Sequence, residues 1–169
     1  MMAINWLALA VTALIPLLVG VVWYSPSIGF GKAWMLASGM TDEKVQTGNM
    51  PLIFGLTYVL GFFVALVLQT AVIHQMHLFS IIANEPGAMD PNSELGVWLG
   101  DFLAKYGSNF RTFKHGVFHG ILEGVMFALP VIAILALFER RSFRYIAVHA
   151  GYWIVVLALM GGVICAWQA

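Results

Sequence analysis

Four stretches, 4–24, 51–73, 116–138 and 145–167, are each apolar, free of Lys, Arg and Asp, and long enough to constrain everything else. A helix of about 20 residues crosses a hydrocarbon core of roughly 30 Å, and only helices or closed barrels satisfy the backbone inside lipid. The chain is therefore expected to be all-α, a single integral membrane domain built as a four-helix bundle. Charge excludes a soluble alternative: 9% of residues are charged, against about 25% in an ordinary soluble domain.

The eight acids and eight bases lie mainly at the ends and in the connections of the apolar runs. They form no basic patch, so the bilayer is the expected partner and nucleic acid is not. Run 4–24 is preceded by no positive charge, and bulky Val22, Trp23 and Tyr24 stand where a signal cleavage site needs small residues. It reads as a retained span. Trp6 and Trp23 bracket the first span, and Tyr145 and Trp167 the fourth, at the interfacial depth amphipathic rings prefer. Pro16 and Pro130 fall inside spans, where a missing amide donor should kink a helix.

The helical pattern of the second span continues past Ile73 through His74, Gln75, Met76 and His77 to a breaker at Asn84, Glu85, Pro86 and Gly87. A helix over 51–83 would be about 50 Å long and project beyond the hydrocarbon. The connection 25–50 suggests a short interfacial helix near Phe30–Leu36, then a turn capped by Thr41. In the connection 84–115, Leu95, Trp98, Leu99, Phe102, Leu103 and Tyr106 share one helical face, with Asp101 and Lys105 paired opposite. An amphipathic helix over about 93–106 should lie on the membrane or cap the bundle.

Loop bases give an orientation. Lys32, Lys44, Arg140, Arg141 and Arg144 occupy the first and third connections, against Lys105, Arg111 and Lys114 on the other side. The first group is expected in the cytoplasm, with both termini periplasmic, in a bacterial inner membrane.

Span three carries two parallel stripes at four-residue spacing. Gly116, Gly120 and Gly124 suit close helix packing, within the bundle or between subunits. His115, His119 and Glu123 form the second stripe, and an acid inside a span needs pairing, protonation or water. Counting about 1.5 Å per residue, Glu123 sits roughly 6 Å from the midplane on the side of the long connection. The extended second span brings His74 and His77 to that side, whereas His149 enters from the opposite one and is expected to hydrogen-bond there, near Glu139 and the arginines.

Three readings of this cluster remain open. His74, His77, His115, His119 and Glu123 could ligate a transition metal, or facing histidines could hold a haem. A structural His119–Glu123 pair or a proton pathway would use the same residues. Arg140, Arg141 and Arg144 suit lipid headgroups. Cys165 has no partner for a disulfide or a cysteine zinc site. No nucleophile with its base, phosphate loop or dinucleotide fingerprint is present, so no enzymatic activity is expected.

Three sets of residues together resemble a bacterial membrane-protein family, domain of unknown function 1761. They are Asn5, Trp6 and Leu7 with Trp23, Tyr24, Ser25, Pro26, Phe30, Gly31, Lys32, Ala33 and Trp34; Phe138, Glu139, Arg140, Arg141 and Ser142; and Gly151, Tyr152 and Trp153 with Met160, Gly161 and Gly162. The resemblance implies a small four-span protein without an assigned activity, so no catalytic residue is carried over. The long connection 84–115 and the histidine stripe depart from that family's compact form. The leading expectation is a non-enzymatic membrane protein, a homo-oligomer or an accessory subunit of a complex. A metal- or haem-binding protein and a proton-coupled carrier are the alternatives.

Overall fold

The structure, a computed structural model, describes residues 4–168. Four helical segments, Trp6–Trp23, Met50–Val72, Phe113–Phe138 and Phe143–Ala166, are long and apolar enough to cross a membrane. The chain is an all-α, multi-pass membrane protein. Helices α1 (Trp6–Thr12) and α2 (Ile15–Trp23) make the first span. Short α3 (Gly31–Ser38) and α4 (Asp42–Gln46) follow, then α5 (Met50–Val72), α6 (Gln75–Ile82) and α7 (Glu94–Tyr106). The third span is α8 (Phe113–Glu123), a π-turn (Gly124–Ala128) and α9 (Leu129–Phe138), and the fourth is α10 (Phe143–Ala166).

Local chemistry sets most boundaries. Asn5, Thr41, Asn49, Ser93, Thr112 and Ser142 each accept a backbone amide with the side chain at a helix N-terminus, satisfying a donor the helix leaves free. Pro16, which cannot donate to Thr12, follows the interruption at Ala13 and Leu14, and Gly61 of α5 leaves room for it, since a Cβ there would come within 3.0 Å of the Ala13 carbonyl. Ahead of Pro130 the amide of Leu129 bonds back to Gly124, so one wide turn relieves the clash of the ring with the preceding carbonyls.

The second span departs from the expected continuous helix to residue 83. It ends at Val72, because Ile73 leaves helical conformation (φ −111°, ψ 89°), and α6 restarts after His74. The chain therefore leaves the helical path at the end of the apolar segment. The amphipathic helix is α7, and its apolar face divides in two. Leu99 is buried against the protein, while Trp98, Phe102 and Tyr106 form an exposed ladder, their rings 5.6 and 5.0 Å apart.

The spans are not equivalent. α10 touches every other span, and 61% of its most apolar stretch is buried, against 11% for the third span. Val156, Met160, Ile164 and Cys165 of α10 pack with Leu9, Ala65, Leu68 and Val72. Lipid tails offer helices no hydrophobic drive to associate, so close van der Waals contact has to supply it. The glycines allow that contact: a Cβ on Gly116 or Gly120 would collide with the Gly161 or Leu157 carbonyl, and one on Gly124 would lie 2.7 Å from Ile154 Cα. The glycine face of the third span is thus used against α10 of the same chain.

Candidate metal centre

The break after α5 positions the first histidine. His74 stands between the end of α5 and the first residue of α6, with its Nε2 2.9 Å from Nε2 of His115. One of these nitrogens donates and the other accepts, so at least one ring is neutral there. His115 follows the cap of α8, where Thr112 Oγ1 accepts its amide at 3.2 Å. His119 lies one turn further on the same face. The ring centroids are 4.5 Å apart for His115 and His119 and 4.9 Å for His74 and His119. One ring nitrogen from each of the three lies within 4.8 Å of the other two.

Surrounding contacts hold the two strands of chain together. The Gln75 amide donates to the Asn109 carbonyl at 2.8 Å, tying α6 to the segment before α8. The Cys165 thiol lies 3.4 Å from the Val72 carbonyl and 3.3 Å from that of Phe110. Arg111 Nε donates to the Cys165 carbonyl at 2.8 Å. The end of α10 thereby joins both segments that carry the histidines. Phe110, in the left-handed region (φ 62°), places its ring 5.2 Å from His115, and Phe118 meets His119 edge-on.

His115 and His119 are half-buried and His74 is exposed. Although His74 is exposed, the hydration it loses to its neighbours, then the nearby His115 and His77 charges, hold it below the ordinary imidazole value of 6.5. A neutral imidazole is the form that coordinates a cation.

Two residues expected in the cluster stand outside this triangle. His77 is exposed in the first turn of α6, outside the group of three ring nitrogens. Glu123, half-buried at the end of α8, is one turn deeper than His119, about 6 Å along the axis. It has no hydrogen-bond partner among the described residues. His149 stands apart from the cluster and hydrogen-bonds with Tyr24 at 3.3 Å and Ser38 at 3.4 Å, with the Tyr145 ring 4.3 Å away and Arg141 over that ring. Glu139 pairs with Arg141 at 3.1 Å. Arg140 and Arg144 are exposed, and Arg140 takes the left-handed conformation (φ 54°) in the turn into α10.

A model of the family described as "Protein of unknown function (DUF1761)" matches residues 7–165. The chain belongs to this family. The DUF1761 match takes in all three clustered histidines and most of every span. No curated protein matches the chain, and no solved structure does.

Proposed function

We propose that this multi-pass membrane protein binds a divalent transition-metal ion through His74, His115 and His119. The observation that carries the reading is the convergence of three imidazole nitrogens within 4.8 Å, drawn from two segments far apart in sequence. Three histidines with an open fourth position form a familiar donor set for zinc, and imidazole equally suits copper. Tetrahedral coordination at 2.0–2.1 Å sets nitrogens about 3.3 Å apart, so the 2.9 Å pair opens by roughly 0.4 Å and the wider separations, up to 4.8 Å, close around the ion. A haem fits less well. Its axial ligands stand on opposite faces of a broad macrocycle, and imidazoles within hydrogen-bonding distance leave no gap between them.

Glu123, a turn below His119, offers a carboxylate to the outer environment of such an ion, where acceptors orient ligating imidazoles. With the loop arginines in the cytoplasm, the site opens toward the periplasmic face of a bacterial inner membrane. Self-association and an accessory role are weaker readings, because the glycine stripe that favoured them is used inside the chain.

The test is cobalt loading of chelator-stripped, detergent-purified protein. One equivalent of Co2+ should bind with visible absorption bands of tetrahedral intensity, and zinc should displace it. Absence of a stoichiometric ion, or bands unchanged in His74→Ala and His119→Ala, would sink the proposal.

A further inference from the structure

A second site lies on the same side of the membrane, apart from the histidines. Between the start of the first span, the ends of the second and fourth, and the C-terminal end of α7 is a cavity of about 460 Å³, within the size range of small-molecule pockets. None of the three clustered histidines lines it. Its walls are mostly aliphatic, including Leu9, Ile73 and Ile164, and Leu103 of α7 closes one side.

Two polar groups in it keep hydrogen-bonding capacity that the fold does not use. Gln69 lines the cavity with only 4% of its surface exposed, and its side-chain amide has no hydrogen-bond partner among the described residues. Its amide atoms are open to the cavity rather than sealed in the packing, so they are available to a bound molecule. Arg111 is the second. Its Nε and one Nη donate to the Cys165 and Trp167 carbonyls, which leaves three of five guanidinium N–H groups available. Among the described residues no carboxylate pairs with it, and burial lowers its pKa from the usual guanidinium value. Asn5 and Gln168 complete the polar rim.

We infer that this cavity binds a single-chain amphiphilic anion, with its oxyanion head on Arg111 and Gln69 and its alkyl chain along the aliphatic wall. Guanidinium forks accept carboxylate and phosphate oxygens equally well in geometry, so a fatty acid and a lysophospholipid share the required chemistry. A neutral lipid does not. α7 acts as the cover, because Leu103 and Gly107 are its contributions to the wall.

The inference is independent of the metal proposal and is tested on full-length, delipidated protein by native mass spectrometry and by displacement of a fluorescent fatty acid. Myristate and lysophosphatidylglycerol are the two charged probes and methyl myristate the neutral control. Wild type should bind one equivalent of at least one charged probe saturably, and the tighter of the two identifies the head group. Gln69→Leu should weaken binding about tenfold, the loss expected for one hydrogen bond to a charged group. Leu103→Trp, which fills the cavity from its α7 side and leaves both polar residues in the chain, should abolish it. Arg111→Ala is a poor sole test because Arg111 also caps α10. Equal binding of methyl myristate, no saturable binding, or full binding by folded Leu103→Trp protein would overturn the assignment.

Discussion

His74 and His115, 41 positions apart in sequence, bring their Nε2 atoms to 2.9 Å at the surface end of the third span. That contact exists because α5 stops at Val72; one further helical turn would carry His74 elsewhere. It makes the metal reading specific enough to separate the histidines from one another.

Removing a ligand should therefore differ from removing a neighbour. His74→Ala, His115→Ala and His119→Ala are each expected to weaken metal binding at least 10–100-fold, the range already seen for outer-shell changes. His77→Ala should leave it unchanged. Competition titrations against a chromophoric chelator measure all four, and a large loss in the His77 variant would contradict the assignment.

Protons compete with a metal for imidazole, so affinity should fall as pH falls. His74 is held below 6.5, which keeps its nitrogen free at pH values where an ordinary histidine has begun to protonate. Cobalt affinity scanned between about pH 5 and 8 should be highest near neutrality and fall toward about pH 5. Affinity that does not change over this range would show that imidazole does not hold the ion.

Glycine substitutions should divide by the surface they meet. Gly120→Ala drives a methyl into the α10 backbone, and overpacking of that kind costs about 1–3 kcal/mol. Gly55→Ala meets nothing within 4 Å and should be neutral or slightly stabilising, given alanine's advantage of about 1 kcal/mol in a helix. Thermal unfolding in detergent compares them. Equal effects would mean that the third span does not rest on α10 through this face.

His149→Ala should loosen the opposite face. It strands the Tyr24 and Ser38 hydroxyls, and because both contacts are long the expected cost is about 1 kcal/mol. Faster amide exchange confined mainly to Gly31–Ser38 is the signature, and unchanged exchange there would show that His149 does not hold α3.

Much of this architecture was legible because each span is a single long statement about hydropathy. α7 was legible for a similar reason, with Ser93 as cap and an apolar period of helical spacing. The break at Ile73 was not. No glycine or proline marks it, and residues 73–83 are helix-compatible, so it depends on contacts from α10 and the 107–112 segment that no local pattern encodes. Helical spacing of three residues puts His74 and His77 near one side of a helix with or without the break, so spacing alone does not separate them. Pro130 announced a disturbance but not its form, a π-turn beside Glu123. The Gln69–Arg111 cavity joins residues from five helices, and only the unusual presence of a glutamine near the end of an apolar span hinted at it.

The central place of α10 also sets a schedule for biosynthesis. During translation the first three spans enter the bilayer before the helix against which they pack. The third span has its principal contact with α10, so His115 and His119 gain their fixed position beside His74 only after the fourth span inserts. If the proposed ion is bound, an ion offered earlier would meet scattered histidines; loading would belong to the finished protein, and a chain stalled before residue 143 should emerge from synthesis without it.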